Sequence, residues 1–272
     1  MTRTALQPIV DRLLDAYDNA TMLEPISATV PGFDSAAAYE VLDGIARQRR
    51  RQGWKQVGRK IGFTNRTIWE IFDVDRPMWA HMWSTTVTYA RGEAGNVPLD
   101  RFVQPRIEPE VVFKLRGQPS RTESPSQLLR SVEWMAPGFE IVHCHFPDWK
   151  FTVADATADF GVHGALVVGT PLLIDDDNRD AIAADLSTFE LTLSRDGVEV
   201  DRGLGANVLD GPAHALAHLI QVLDDQPGHQ PLDPGEIITT GTITNMWPIT
   251  RGERWTSDYS TLGLGGLTVS FS

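Results

Sequence analysis

The chain has 272 residues, 42% of them hydrophobic, enough to bury a sizeable core as one large domain or as a small one beside a larger one. Its 24 basic and 36 acidic side chains give a net charge of −12 and a pI near 5.0, which excludes nucleic acid and anionic membrane as general partners. A single cysteine, Cys144, excludes an intrachain disulfide framework, and no apolar run suits a signal core or a membrane span, so a cytoplasmic location is expected.

Ile9, Leu13, Leu14 and Tyr17 recur at helical spacing and predict an amphipathic helix over 8–20. A second helix is expected from Asp34 or Ser35 to Gln52, with Ala38, Leu42 and Ile45 on one stripe. Arg47, Arg49, Arg50 and Arg51 crowd its last turn, where cations suit the helix dipole, and Gly53 follows as a C-cap. Residues 56–63 alternate as a strand, with Val57, Ile61 and Phe63 on one face and Gly58, Lys60 and Gly62 on the other. A lysine between two glycines loses packing on both sides, an arrangement that suits the close approach of a ligand. Residues 64–86, with Trp69, Trp79 and Trp83, predict a short helix followed by a covering loop.

From Val87 onward the pattern turns mostly β. In the strand Gln104–Phe113, Ile107, Val111 and Phe113 share one face while Glu108 and Glu110 share the other. Neighbouring carboxylates repel unless something positive lies between them. Pro109 cannot donate a ladder hydrogen bond, which predicts an edge strand or a bulge. Ser124-Pro125-Ser126-Gln127 is a helix start that hands over at Pro137-Gly138 to the strand Phe139–His143, where Glu140 points away from Phe139 and Ile141. Residues 148–161 read as an irregular loop and Gly164–Gly169 as a buried strand. A hairpin turns at Asp196-Gly197. Gly211-Pro212 opens a helix whose His214 and His218 have zinc-compatible spacing but fall opposite its leucine stripe, and these are expected to face solvent. A Thr/Gly-rich strand over Glu236–Thr244 and the alternating Leu267, Val269 and Phe271 complete the chain.

Glu108, Glu110 and Glu140 together offer oxygen-only ligands, which suit Mg2+ or Mn2+ rather than zinc. Three carboxylates against a dication leave one surplus negative charge, which Lys60 can offset. An ion held this way keeps positions for water or substrate and can act as a Lewis acid on a chelating oxygen pair. Cys144 stands between His143 and His145, but strand neighbours point to opposite faces, so a buried thiol is expected rather than a nucleophile.

Three blocks, Gly58-Arg59-Lys60-Ile61-Gly62-Phe63-Thr64, Pro105-Arg106-Ile107-Glu108-Pro109-Glu110 and Pro137-Gly138-Phe139-Glu140-Ile141-Val142, resemble the hydratase/decarboxylase branch of the fumarylacetoacetate hydrolase superfamily. The run Asp233-Pro234-Gly235-Glu236-Ile237-Ile238-Thr239-Thr240-Gly241 and Leu262-Gly263 are similar to the family's C-terminal pattern. The resemblance implies an α+β fold, a mixed β-roll or barrel over residues 87–272 with a small N-terminal α/β region over 1–86. It also implies Mg2+ or Mn2+ on Glu108, Glu110 and Glu140, with Lys60 in acid/base work. For that role the lysine's pKa must be drawn towards neutrality by burial near a cation, against the pull of the glutamates. Arg106, Thr242 and His143 are the candidate substrate-binding residues.

The activity implied is hydration of an unsaturated 2-oxo acid such as 2-oxopent-4-enoate, in the catabolism of aromatic compounds. Decarboxylation of a vinylogous 2-oxo diacid of the 4-oxalocrotonate type is the alternative on the same scaffold. A non-catalytic binding subunit paired with a catalytic paralogue is the alternative of another class. The partners implied are the small-molecule substrate, further copies of the chain, and possible association with a pathway lyase. The chain departs from the family pattern at Met78, at His143-Cys144-His145 and at Phe160-Gly161-Val162-His163. His143 stands where the family usually has an acid. If the strand ends at Val142, it is expected to reach the pocket rim as a relay titrating near neutrality; the alternative is a satisfied surface or interface histidine.

Overall fold

The structure, a computed structural model, describes residues 3–92, 94–120, 124–226 and 228–272. The first helix, α1 (Arg3–Asn19), buries Leu6, Ile9, Leu13 and Tyr17 against Ala38, Val41 and Ile45 of α3 (Ser35–Arg51), with the single turn α2 (Ile26–Thr29) between them. Asp34 caps α3 by accepting a hydrogen bond from the Ala37 N–H at 2.9 Å. The arginines at its end do not all serve the helix dipole. Arg49 is 2% exposed, its guanidinium donating to Asp18 of α1 at 2.6 and 3.1 Å and lying 4.4 Å over the Trp54 ring. Arg49→Ala is expected to cost about 2–4 kcal/mol by urea denaturation, from lost charge-assisted bonds and ring stacking. The exposed Arg51→Ala should stay within about 0.5 kcal/mol of the parent.

The chain then enters a mixed sheet through β1 (Gln56–Gly62) and, after a short helix α4 (Trp69–Phe72), β2 (Met78–Trp83). The expected covering loop is therefore a strand. Met78, Ala80 and Met82 alternate with Trp79, His81 and Trp83, and all six are buried, so no polar alternation marks it. Next come β3 (Val87–Tyr89), β4 (Ala94–Val97) and β5 (Arg106–Leu115). The one-and-a-half-turn α5 (Pro125–Leu129) leads into β6 (Val132–Val142), which runs straight through Pro137-Gly138 rather than beginning there.

Residues 148–161 are not all loop. Thr152 and Asp155 exchange backbone and side-chain hydrogen bonds in a capping box that starts α6 (Val153–Ala158). The rest comprises β7 (His163–Val168), β8 (Leu172–Leu173), α7 (Arg179–Asp185), the hairpin β9 (Glu190–Arg195) with β10 (Val198–Leu204), and α8 (Pro212–Asp225). The Thr/Gly-rich stretch pairs only over β11 (Ile237–Thr239), and it is followed by β12 (Trp247–Pro248), β13 (Arg254–Asp258) and β14 (Leu267–Phe271).

The larger sheet has the order β2-β1-β11-β5-β6-β7-β3, with β12 also on β5 and β8 on β6; the smaller is β10-β9-β13-β14-β4. Because β1 and β2 lie in the same sheet as β5, β6 and β7, a boundary at 86–87 cuts through one hydrogen-bonded unit. Strand β5 is central, not an edge, and pairs with β6 through Pro109 without a register break. The imide is tolerated because it faces the gap between β11 and β12, where the Pro109 carbonyl accepts from the Ile243 N–H at 3.0 Å. Of the two glycines beside Lys60, Gly58 answers protein, since a Cβ there would stand 1.9 Å from the Ile237 carbonyl oxygen, whereas Gly62 borders a cavity as well as the Met78 sulfur, 3.0 Å from where its Cβ would stand.

One face of the sheet carries Ile61, Trp79, Ile107, Val111 and Phe113 into a core shared with Leu216, Leu219 and Leu223 of α8. The opposite face presents the carboxylates at one end and Met82, Val112, Ala136, Leu166 and Val168 at the other. Among the described residues, no helix is long and apolar enough to cross a membrane.

Candidate metal centre

The antiparallel register of β5 and β6 sets Glu108 directly across from Glu140, with Glu110 one step further along the same face, opposite Gly138. One carboxylate oxygen from each comes within 4.8 Å of the others. Glu110 and Glu140 are wholly buried, whereas Glu108 opens towards a cavity. Glu110 Oε2 accepts from the Gly241 N–H at 2.7 Å, and Glu140 Oε1 lies 2.7 Å from His163 Nδ1. The other ring nitrogen of His163 is 2.9 Å from Thr86 Oγ1, so a Glu140–His163–Thr86 chain orients this carboxylate. Beyond the contact of these two carboxyls with each other, Glu110 Oε1 accepts no hydrogen bond, and Glu140 Oε2 meets the Lys60 ammonium at 3.2 Å.

These groups hold one another in shifted protonation states. Burial pushes Glu108 up to about 7, with Lys60 pulling against it. Burial, then the charges of Glu140 and Glu108, raises Glu110 well above the carboxylate range. At Glu140 burial acts in the same upward direction, but Lys60 and His163 outweigh it and hold the group at about 2. Burial would lower Lys60, yet the three glutamates together raise it. In the carboxylates' field alone the lysine is thus held as an ammonium, and the shift towards neutrality expected of it is one that burial beside a bound cation would have to supply. Buried carboxylates with oxygens left unbonded are costly unless a cation meets them. The hard oxygen donors and their spacing fit a divalent ion of the Mg2+ or Mn2+ kind.

Lys60, Glu108 and Thr242 line a cavity of about 120 Å3, together with Thr64 and a set of aromatic and aliphatic side chains. A larger cavity, about 810 Å3, lies over the other face of β1 and β2 beside Arg59 and His81, away from the carboxylates. Size does not locate the chemistry here. Phe63, Trp149 and Val162 all line the smaller cavity with φ of 59°, 59° and 54°, a left-handed backbone that side chains rarely adopt, least of all the β-branched Val162. Gly241 has φ of 101°, and a Cβ there would collide with Thr64 Oγ1 at 1.8 Å.

Arg106 sits two residues before Glu108 on the same face, but its guanidinium lies 4.5 Å over the Trp149 ring and outside the cavity lining. Thr242 lines the cavity with its hydroxyl donating to the Thr244 carbonyl at 3.0 Å. His143 requires a correction. The strand does end at Val142, yet the turn carries the ring into the core between Tyr17, Phe102 and His145, not to the cavity. Burial, then His145, holds its pKa well below the usual value, so it does not titrate near neutrality. Cys144 is a buried thiol pushed up to about 12 by burial.

Two functional neighbours, His163 and His145, escape sequence reading. His163 stood out only as a departure from the family pattern. The buried His145–Asp159 pair, at 2.7 Å, anchors the turn through Phe160, Gly161 and Val162, whose last two residues line the cavity. His163→Leu is expected to weaken Mn2+ binding about 10–100-fold in calorimetry, as loss of an outer partner to a ligand does. An unchanged affinity would reduce His163 to packing.

A three-carboxylate centre with one adjoining lysine, set on a central antiparallel strand pair, defines a class of oxygen-ligand divalent-metal sites. The chain belongs to the Fumarylacetoacetate (FAA) hydrolase C-terminal family, which matches residues 62–268. It is 29% identical over 264 residues to the 2-hydroxyhexa-2,4-dienoate hydratase of Comamonas testosteroni, covering 96% of this chain and 95% of that one. It is 27% identical over 266 residues to a 4-oxalocrotonate decarboxylase of a Pseudomonas species, covering 97% of each. Its fold superposes on the 4-oxalocrotonate decarboxylase of Pseudomonas putida G7, solved with magnesium and adipate, with a TM-score of 0.89 at 23% identity over 100% of this chain and 99% of the other.

Proposed function

We propose that the chain is a Mg2+- or Mn2+-dependent hydratase of an unsaturated 2-oxo acid such as 2-oxopent-4-enoate, acting as a cytoplasmic homo-oligomer in the breakdown of aromatic compounds. The observation that carries this reading is the convergence of Glu108, Glu110 and Glu140 beside Lys60, next to a cavity of about 120 Å3 that Lys60 and Glu108 line. Relatives named as hydratases across nearly the whole chain support it. When bound, the divalent ion supplies a Lewis acid for the carboxylate and 2-oxo oxygens of the substrate. Glu108, Glu110 and Glu140 would hold it, with Gly241 and His163 fixing two of the three carboxylates.

Lys60 is the cationic side chain on the cavity lining among the described residues. It is the group able to move a proton at the conjugated carbon chain, and its contact with Glu140 lets the cluster balance the charge as the proton leaves or returns. The apolar remainder of the lining orients the carbon chain and excludes bulk water.

The second reading, decarboxylation of a vinylogous 2-oxo diacid, is favoured by the 4-oxalocrotonate decarboxylase relatives. Both reactions need the same delocalised charge on the 2-oxo head. With Mg2+ or Mn2+ added, the protein is expected to consume a 2-hydroxy-2,4-dienoate, followed by its ultraviolet absorbance, with no CO2 released. Release of CO2 from 4-oxalocrotonate without water addition would replace hydration by the second reading.

A further inference from the structure

The wall of the cavity facing away from the carboxylates is made of rings and aliphatic chains. Phe63 meets Phe72 edge-on at 5.0 Å, Phe72 stacks on Phe151 at 5.7 Å, and Trp149 stands 6.2 Å from Phe151. Ile68 and Met246 add to the apolar lining, and Asn65 beside them is neutral, its side-chain oxygen taken by the Thr67 N–H and hydroxyl. The charges close by are already engaged. Lys60 is tied to Glu140, Arg106 lies over Trp149, Arg66 pairs with Asp210 at 2.7 Å, and Lys150 is 80% exposed beside Asp148. The indole N–H of Trp149 is likewise spent, donating to the Gln104 carbonyl at 3.1 Å.

We infer that this site selects a substrate whose tail is uncharged and apolar, and that Ile68, Phe72 and Phe151 are the residues that reject a second carboxylate. The inference rests on the reading of the site as one for a 2-oxo acid head. A tail carboxylate pushed against these rings loses its water and meets no cation in return. A methyl or longer alkyl end displaces water from apolar surface and gains by it. The alkyl dienoate is therefore the substrate and the diacid is not.

The test is calorimetry on the intact Mn2+-loaded protein with three saturated probes: pyruvate for the head alone, 2-oxohexanoate for an alkyl tail and 2-oxoadipate for a charged one. 2-Oxohexanoate is expected to bind about 10-fold more tightly than pyruvate. 2-Oxoadipate should bind at least ~30-fold more weakly than 2-oxohexanoate. Ile68→Lys, or Phe72→Arg where that variant folds better, supplies the missing cation and should narrow this gap about 10-fold or more. Equal or tighter binding of 2-oxoadipate by the parent protein overturns the inference while leaving the head reading in place. Failure of all three probes to bind in a Mn2+-dependent way overturns the head reading itself, and the inference with it.

Discussion

Glu110→Gln is expected to lower Mn2+ affinity at least ~100-fold and to abolish turnover, because a neutral amide replaces one of three anionic oxygen donors. The fold should not suffer. Burial already drives the Glu110 carboxyl towards its protonated form, so an amide of the same shape removes a strained charge rather than a favourable one. Glutamine also retains an oxygen to accept the Gly241 N–H. Thermal melting without metal should therefore give a midpoint equal to or above that of the parent, and the midpoint gain on adding Mn2+ should disappear. For the parent that gain corresponds to about 2.7 kcal/mol at a hundredfold excess of ion over its dissociation constant. Unchanged Mn2+ affinity in the variant would remove Glu110 from the centre.

Lys60→Met should act in the opposite pattern. The thioether fills a similar volume, so the close approach to Gly161 persists, but kcat is expected to fall about 10^2–10^4-fold with loss of the proton-transferring group. Metal affinity should be equal or higher, since a positive charge next to the ion has gone. Without metal the variant should melt lower than the parent, because Glu140 and Glu108 lose the cation that holds their charges down. The sign of the pH effect follows. Glu140 has a folded pKa of about 2, below the ordinary carboxylate value, so its pairing contributes stability at neutral pH that fades as acid approaches 2. In Lys60→Met the same loss should begin at higher pH. Wild-type turnover in Lys60→Met would make the lysine structural.

How much of this was legible in the sequence varies with how local the cause is. Strand alternation placed Glu108 and Glu110 on one face and Ile107, Val111 and Phe113 on the other, because a period of two depends on nothing beyond the strand itself. Glu140 followed by the same rule. Long-range pairing was hidden. Pro109 read as an edge because the gap between β11 and β12, closed by residues more than a hundred positions later, has no local signature. Arg49 looked like its neighbours Arg50 and Arg51 because Asp18 and Trp54, which bury it, come from other elements. The α6 helix was a different kind of miss, since its capping box at Thr152 and Asp155 stands in the sequence, preceding a run too short and small to show helical periodicity. His143 went astray because ending a strand says nothing about which way the chain then turns.

The strand that carries Lys60 has a consequence for how the protein comes into being. On one side β1 pairs with β2, but on the side leading to the carboxylates its neighbour is β11, with Lys60 in register with Thr239. During synthesis the three glutamates and the lysine are all made by residue 140, yet the ladder between their two strand groups stays open until β11 has been translated and has slotted between β1 and β5. Closing so long a loop is slow, and it comes late by necessity. Until then the lysine is held near the carboxylates through the β3–β7 pairing and the turn at Gly161 rather than through its own strand's neighbour, and the facing edges of β1 and β5 stand open to a wrong partner strand.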